Sequence, residues 1–201
     1  LAQKDYTLKL IKLLEKESQS LSEYLTQSKN GTAIQSLYKS LCPARQNLVT
    51  PATLTDQEFT AQWKNVSWQG LPFAPDAPQY DTANGEVVRS KSEVIIADTL
   101  ARYGIPYRYE FPLQLKKAPK DKSTSTFYPD FCCLNIHSRK EIFWEHFGLM
   151  DDSDYASNAA GKLRLYAENG IFPGRNLIIT METQKEPLNT KLIEKIIREF
   201  L

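Results

Sequence analysis

The stretch Tyr128-Pro129-Asp130-Phe131-Cys132-Cys133-Leu134-Asn135-Ile136-His137-Ser138-Arg139-Lys140-Glu141-Ile142-Phe143-Trp144-Glu145-His146-Phe147-Gly148 decides the architecture. Aromatic and apolar residues on either side of His137-Ser138 read as two β-strands, Thr126–Ile136 and Lys140–Phe147, joined at that tip. A two-residue turn there sets Ile136 opposite Arg139, and counting back sets Asp130 opposite Glu145. Residues directly across an antiparallel pair have Cβ atoms about 5 Å apart, where like charges repel. A bound cation is the simplest reason to keep two carboxylates so close. A longer loop would make them diagonal neighbours but leave them on adjacent strands. The competing structural account ends each strand with a carboxylate paired to an arginine or lysine. His146 points away from the Glu145 face, so its imidazole is expected to be packed or hydrogen-bonded, and His137 to be solvated.

Working outward, Ser90–Tyr103 reads as a helix closed by Gly104 at the position after its cap. Tyr107–Leu115 reads as a strand, Ser153–Asn169 as a helix ending at Gly170, Arg175–Glu182 as a strand and Leu188–Leu201 as an amphipathic helix. The order helix, three meandering strands, helix, strand, helix predicts an α/β fold, a mixed sheet flanked by helices. The first half reads as helical. Tyr6, Leu10, Leu13, Leu14, Leu21, Tyr24 and Leu25 share an arc about 120° wide on a helical wheel, and Asn30-Gly31 stops that helix. A shorter helix is expected over Thr32–Leu41, and the capping box Thr55-x-x-Glu58 starts a third that runs to Val66. Pro72, Pro75 and Pro78 read as an extended connector. The expected division is therefore a helical region over 1–70, a connector over 71–80 and an α/β domain over 81–201.

Lys and Arg number 25 against 24 Asp and Glu, which excludes a globally basic nucleic-acid coat while permitting a local one. No apolar run approaches the roughly 20 residues of a membrane span, so no membrane is expected as partner. Three cysteines, two of them the adjacent Cys132 and Cys133, offer neither a disulfide framework nor metal-ligand spacing, which points to a reducing, intracellular (cytoplasmic) setting.

Two further polar residues fall on apolar helix faces. Glu93 lies at the centre of the arc formed by Ile96, Ala97, Leu100, Ala101 and Tyr103, where a charge is costly unless paired or coordinated. Ser90-x-x-Glu93 is equally a capping box, in which Glu93 reaches back to the Ser90 amide. Lys162 falls among Tyr155, Ala159, Leu163, Leu165 and Tyr166, and two readings stand for it: a head group snorkelling to water, or one aimed at the strand carboxylates.

Arg89-Ser90-Lys91-Ser92-Glu93 at a helix start, Pro129-Asp130 on the second strand and Glu145 on the third resemble, in that order, the PD-(D/E)XK or restriction-endonuclease-like nuclease superfamily. The resemblance covers about residues 81–201, and the helix and strand order is similar to that family's αβββαβ core. The family's usual lysine, two residues after the glutamate, is here Phe147. Lys162 fits the variant in which the lysine has moved to the following helix.

The resemblance implies a nuclease that hydrolyses phosphodiesters, with DNA the expected substrate, and a Mg²⁺ or Mn²⁺ ion held by Asp130 and Glu145. Glu93 would contribute directly or through a water, and the backbone carbonyl of His146 as a further ligand. Lys162 would orient the attacking water and offset transition-state charge. Arg89 and Lys91 beside Glu93 are candidates for phosphate contact. So is the basic loop opened by Lys116 and Lys117, against the plainer view that it is only solvated. Tyr166, one turn beyond Lys162, is a further candidate for substrate contact, against the plainer views that it supports Lys162 or simply packs. A rival view makes the α/β half a catalytically inactive scaffold and the leading helices a partner-binding or homodimerising surface. A third makes those helices a DNA-recognition arm.

Overall fold

The computed structural model describes residues 2–29, 37–38, 40–46, 48–49, 54–116 and 124–201. The helix expected over 32–41 and the basic loop that holds Lys117 therefore lie wholly or mostly outside the described residues. The chain divides into two compact units, 1–59 and 60–201.

In the first unit α1 (Ala2–Lys29) is a single long helix, and Tyr6, Leu10, Leu14 and Leu21 on its apolar face are exposed. A four-residue turn of helix, α2 (Pro43–Gln46), follows. The next helix, α3 (Asp56–Lys64), opens with the expected capping box. The Glu58 amide donates to Thr55 Oγ1 at 3.2 Å, and the Thr55 amide donates to Glu58 Oε2 at 2.8 Å.

The division falls at 59/60, ahead of the proline-rich segment, and residues 60–80 pack with the second unit. Trp63 donates its indole N–H to Glu141 Oε1 at 2.7 Å, and Trp68 donates to the Tyr109 carbonyl at 2.9 Å. The buried Arg108 guanidinium lies 3.9 Å from the Trp63 ring centre and 4.3 Å from that of Phe111. These hydrogen bonds and ring contacts hold the segment to the sheet, although Trp63 is only half-buried and Trp68 stays partly exposed.

The second unit runs β1 (Tyr80–Asp81), β2 (Val87–Val88), α4 (Lys91–Arg102), β3 (Tyr107–Tyr109), β4 (Leu113–Lys116), β5 (Thr124–Phe127), β6 (Phe131–Asn135), β7 (Lys140–Phe147), α5 (Ser153–Glu168), β8 (Leu177–Met181) and α6 (Thr190–Phe200). The main sheet has the order β3-β6-β7-β8, antiparallel except for the parallel β7–β8 pair. One face carries Phe131, Cys133, Trp144 and Ile178 against Ile96 and Leu100 of α4 and Ile193 and Ile197 of α6. The other carries Cys132, Phe143 and Leu177 against Tyr166 and Leu163 of α5. The fold is thus mixed α/β, with helices on both faces of the sheet. No helix among the described residues is long and apolar enough to cross a membrane.

Two expected strands are each broken. Tyr107–Leu115 divides at Glu110, whose φ of 45° no ladder accommodates, and Thr126–Ile136 divides at Tyr128-Pro129-Asp130. Pro129 has no amide hydrogen for a ladder. The outer halves peel away and pair with each other, Leu113 against Phe127. The hairpin register is as expected. Asn135 pairs with Lys140 and Phe131 with Trp144, so continuing the count sets Asp130 against Glu145. The ladder stops one pair earlier than a two-residue turn requires, and Ser138 donates its amide to Asn135 Oδ1 at 2.9 Å in the turn.

Candidate functional site

Glu145 is the buried anchor of the site. It sits in the middle of the sheet on the α5 face and is 1% exposed. Its Oε2 accepts from Lys162 Nζ at 2.7 Å and its Oε1 from Tyr166 Oη at 2.5 Å. Both donors come from α5, four residues apart and so on one face of the helix. Asp152 starts that helix by accepting the Tyr155 amide, and Gly170, at φ 76°, ends it.

Asp130 sits at the strand break, outside the ladder. Its Oδ2 accepts the His146 amide at 2.6 Å, which fixes the carboxylate beside β7. Above the two acids lies a cavity of about 220 Å³, lined among others by Asp130, Glu145, Phe147, Tyr155, Asn158 and Lys162. Burial raises the pKa of Asp130 well above the usual carboxylate range, and the charge of Glu145 pushes it further. Burial also raises that of Glu145, with Lys162 pulling it back. Both acids therefore resist ionisation, and Asp130 does so the more for the charge of Glu145.

Glu93 is placed by the first turn of α4. Its amide donates to Ser90 Oγ at 3.1 Å, but the carboxylate reaches past Ser90 and accepts the Arg89 amide at 2.9 Å. Tyr109 Oη also donates to that oxygen, at 2.7 Å. The charge of Glu93 raises the pKa of both Asp130 and Glu145, so it lies near the pair. Among the described residues, however, no three His, Cys, Asp or Glu side chains are gathered into a metal cage.

Three expected substrate contacts are placed differently. Arg89 is held by Glu110, Nε to Oε1 at 2.6 Å, and gives a further hydrogen bond to the Leu71 carbonyl at 2.7 Å. It also stacks on Phe73 at 4.3 Å, and this pinned guanidinium fastens residues 70–73 to the sheet. Tyr166 is fully buried with its hydroxyl on Glu145, so it supports the acid and does not meet a substrate. Lys116 has its backbone clamped by Asn169, seven residues beyond Lys162, or roughly 10 Å along the α5 axis. Lys91 is exposed in the first turn of α4.

The His146 imidazole behaves as its strand face predicts. It is 8% exposed, with Nδ1 3.0 Å from Thr180 Oγ1 and Nε2 3.3 Å from Glu182 Oε1. Trp144 Nε1 donates to the same Thr180 Oγ1 at 3.0 Å. Glu182 in turn accepts from Ser92 Oγ and the Leu188 amide. Burial raises the Glu182 pKa, but these donors and His146 outweigh it and the net shift is downward.

Gly70 tests the Arg89 staple. A Cβ there would stand 2.9 Å from Glu110 Oε2 and 3.3 Å from Glu110 Cβ. Gly70→Ala should push Glu110 off Arg89 and the Leu71 amide, at a cost of about 2 kcal/mol read as a lower urea midpoint. An unchanged midpoint would show that the staple carries no stability.

Tyr155 and Asn158 were not singled out beforehand as site residues. Their signal was present: Tyr155, Asn158, Lys162 and Tyr166 are spaced three, four and four residues apart, one helix face. Asn158 is exposed at the cavity wall, while the Tyr155 hydroxyl accepts the Gly148 amide at 3.2 Å.

No protein-family model matches the chain, and no solved structure matches it. It is similar to the uncharacterized protein MJ1519 of Methanocaldococcus jannaschii, 34% identical over 134 residues. That alignment takes in 66% of this chain but only 10% of the archaeal protein, so the chain spans about a tenth of that relative's length.

Proposed function

We propose that the second unit is a metal-dependent phosphodiester hydrolase acting on DNA, with a restriction-endonuclease-like PD-(D/E)XK core and a lysine moved to the helix after the glutamate strand. The observation that carries this reading is the 2.7 Å contact between Lys162 Nζ and Glu145 Oε2 inside the cavity that Asp130 also lines. The donor chemistry fits Mg²⁺ or Mn²⁺. Mg²⁺ is held by one or two carboxylates together with waters and substrate phosphates, so a full protein cage is not required. Two enclosed acids sharing one ammonium group also leave negative charge in excess, which a divalent ion would offset.

Asp130 and Glu145 would hold the ion, and the His146 carbonyl is the further ligand that the family resemblance suggests. When bound, the ion supplies an acidified water and neutralises charge on the phosphate. The chain's own groups do the rest. The His146 amide and Tyr166 hydroxyl fix the two carboxylates, so neither reorients during reaction. Lys162, with ammonium protons beyond the one given to Glu145, orients the attacking water and meets charge that grows on the phosphate oxygens. Glu93, whose carboxylate accepts from Tyr109 Oη and the Arg89 amide, would contribute directly or through a water.

Plasmid, linear and single-stranded DNA incubated with Mg²⁺ or Mn²⁺ should be cleaved, with activity lost in EDTA. Cleavage that persists in excess EDTA, or no Mn²⁺ binding by calorimetry, would refute the proposal. A second reading, an interaction role for the first unit, is favoured by one observation: the apolar face of α1 is exposed over its described length, Leu13 at 61% and Tyr24 at 67%.

A further inference from the structure

The wall of the cavity opposite the two acids is a polar stripe of α5, and nothing above gives its first two members a role. Tyr155, Asn158 and Lys162 stand at successive turns of one helix face and all line the cavity. Each can present hydrogen to the space between. The Tyr155 oxygen accepts from the Gly148 amide, so its own proton remains to be donated. Burial raises the Tyr155 pKa, which keeps that proton in place at neutral pH. The Asn158 carboxamide has two N–H donors, and its residue stands about one turn from Tyr155 and one from Lys162 along α5. The strand side of the cavity carries the carboxylates of Asp130 and Glu145, beside His146 and Phe147.

A space with an acceptor floor and a donor wall suits a group that is anionic yet linked to a cation: the acceptors take the cation and the donors take the anion's oxygens. We propose that Tyr155 Oη and the Asn158 carboxamide bind the non-bridging oxygens of a phosphodiester and so position it over Asp130 and Glu145. Both are then substrate-binding residues, uncharged partners to Lys162. The assignment rests on the hydrolase reading above. It deepens that reading by naming the residues that grip the phosphate rather than the ion. Phe147 and Ala159 add apolar wall beside these donors.

The test is binding, measured apart from turnover. A short 5′-fluorescein single-stranded deoxyoligonucleotide is titrated with protein in Ca²⁺ and followed by anisotropy, while Mn²⁺ affinity without oligonucleotide is read by electron paramagnetic resonance. Tyr155→Phe and Asn158→Ala should each weaken oligonucleotide binding about fivefold, the factor one neutral hydrogen bond supplies. Asn158→Asp, which faces the phosphate with an anion, should weaken it more than tenfold. Mn²⁺ affinity should be unchanged in Asn158→Ala. Because Asn158 is exposed, that variant folds even if Tyr155→Phe unsettles the Gly148 loop. Equal oligonucleotide binding by wild type and all three variants would overturn this assignment and leave the hydrolase reading standing. Mn²⁺ binding with no oligonucleotide binding would overturn it as well. A wild-type protein that binds neither Mn²⁺ nor oligonucleotide would sink the hydrolase reading, and this inference with it.

Discussion

Lys162→Ala should lower the single-turnover rate of DNA cleavage by a factor of about a thousand while Mn²⁺ still binds. A preorganised donor aimed at developing charge in a water-poor site is worth about 10²–10³ in rate, and Lys162 has the further task of orienting water. The same substitution should be felt in stability. The Glu145 side chain is 2% exposed, and the ammonium 2.7 Å from its Oε2 is the only cation with which it forms an ion pair among the described residues. Removing one partner of a buried pair leaves an uncompensated charge, at a cost of about 3 kcal/mol. Glu145 relieves part of that cost by taking up a proton, because burial already raises its pKa and Lys162 no longer opposes the rise. The deficit should therefore be largest at alkaline pH and shrink as pH falls through the Glu145 titration. Urea denaturation at several pH values reads this directly. A Lys162→Ala protein that cleaves at the wild-type rate would reduce Lys162 to a structural counterion.

How much of this site was legible beforehand depends on which physical rule governed each residue. The Asp130–Glu145 opposition followed from counting, because strand pairing has period two and a short tip fixes the register; the ladder obeys that count. Lys162 followed from helix periodicity, since a lysine among Tyr155, Ala159 and Tyr166 shares their direction, and its Nζ is on Glu145. The strand breaks were not legible. Glu110 at φ 45° and the peeled β4–β5 ribbon are answers to packing, and nothing in the alternation of Tyr107–Leu115 marks where a ladder stops. Pro129 was the one available sign, because a residue without an amide hydrogen does not sit in a central strand. Arg89 escaped for a different reason: its partner Glu110 is 21 residues away, and a pair that distant leaves no local pattern. Trp63 and Trp68 belong to the same class, since their indoles find acceptors on β7 and β3 that only the fold brings near.

Asp130→Asn should abolish cleavage and yet make the protein more stable at neutral pH. The wild-type carboxylate is held where ionisation is costly, first by burial and then by the charge of Glu145, so folding raises its pKa. An acid whose pKa rises on folding binds its proton more tightly in the native state. Stability is then full below the ordinary aspartate range and falls as pH climbs through it towards the raised native value. Asparagine carries no such dependence. Its side-chain oxygen can still accept the His146 amide, and its NH₂ group turns a repulsion of Glu145 into a possible hydrogen bond. The melting temperature of Asp130→Asn should exceed that of wild type at pH 7 to 8 without divalent ions. The gain should shrink as pH falls through the ordinary aspartate range and vanish below about 3, where the wild-type acid is protonated in both states. Added Mg²⁺ or Mn²⁺ should raise the wild-type melting temperature and leave the variant nearly unmoved, because an ion that binds only the native state stabilises only a protein able to hold it. Should Asp130→Asn prove less stable than wild type at pH 8, or keep cleaving DNA, the strained carboxylate pair is not the centre of this protein's chemistry.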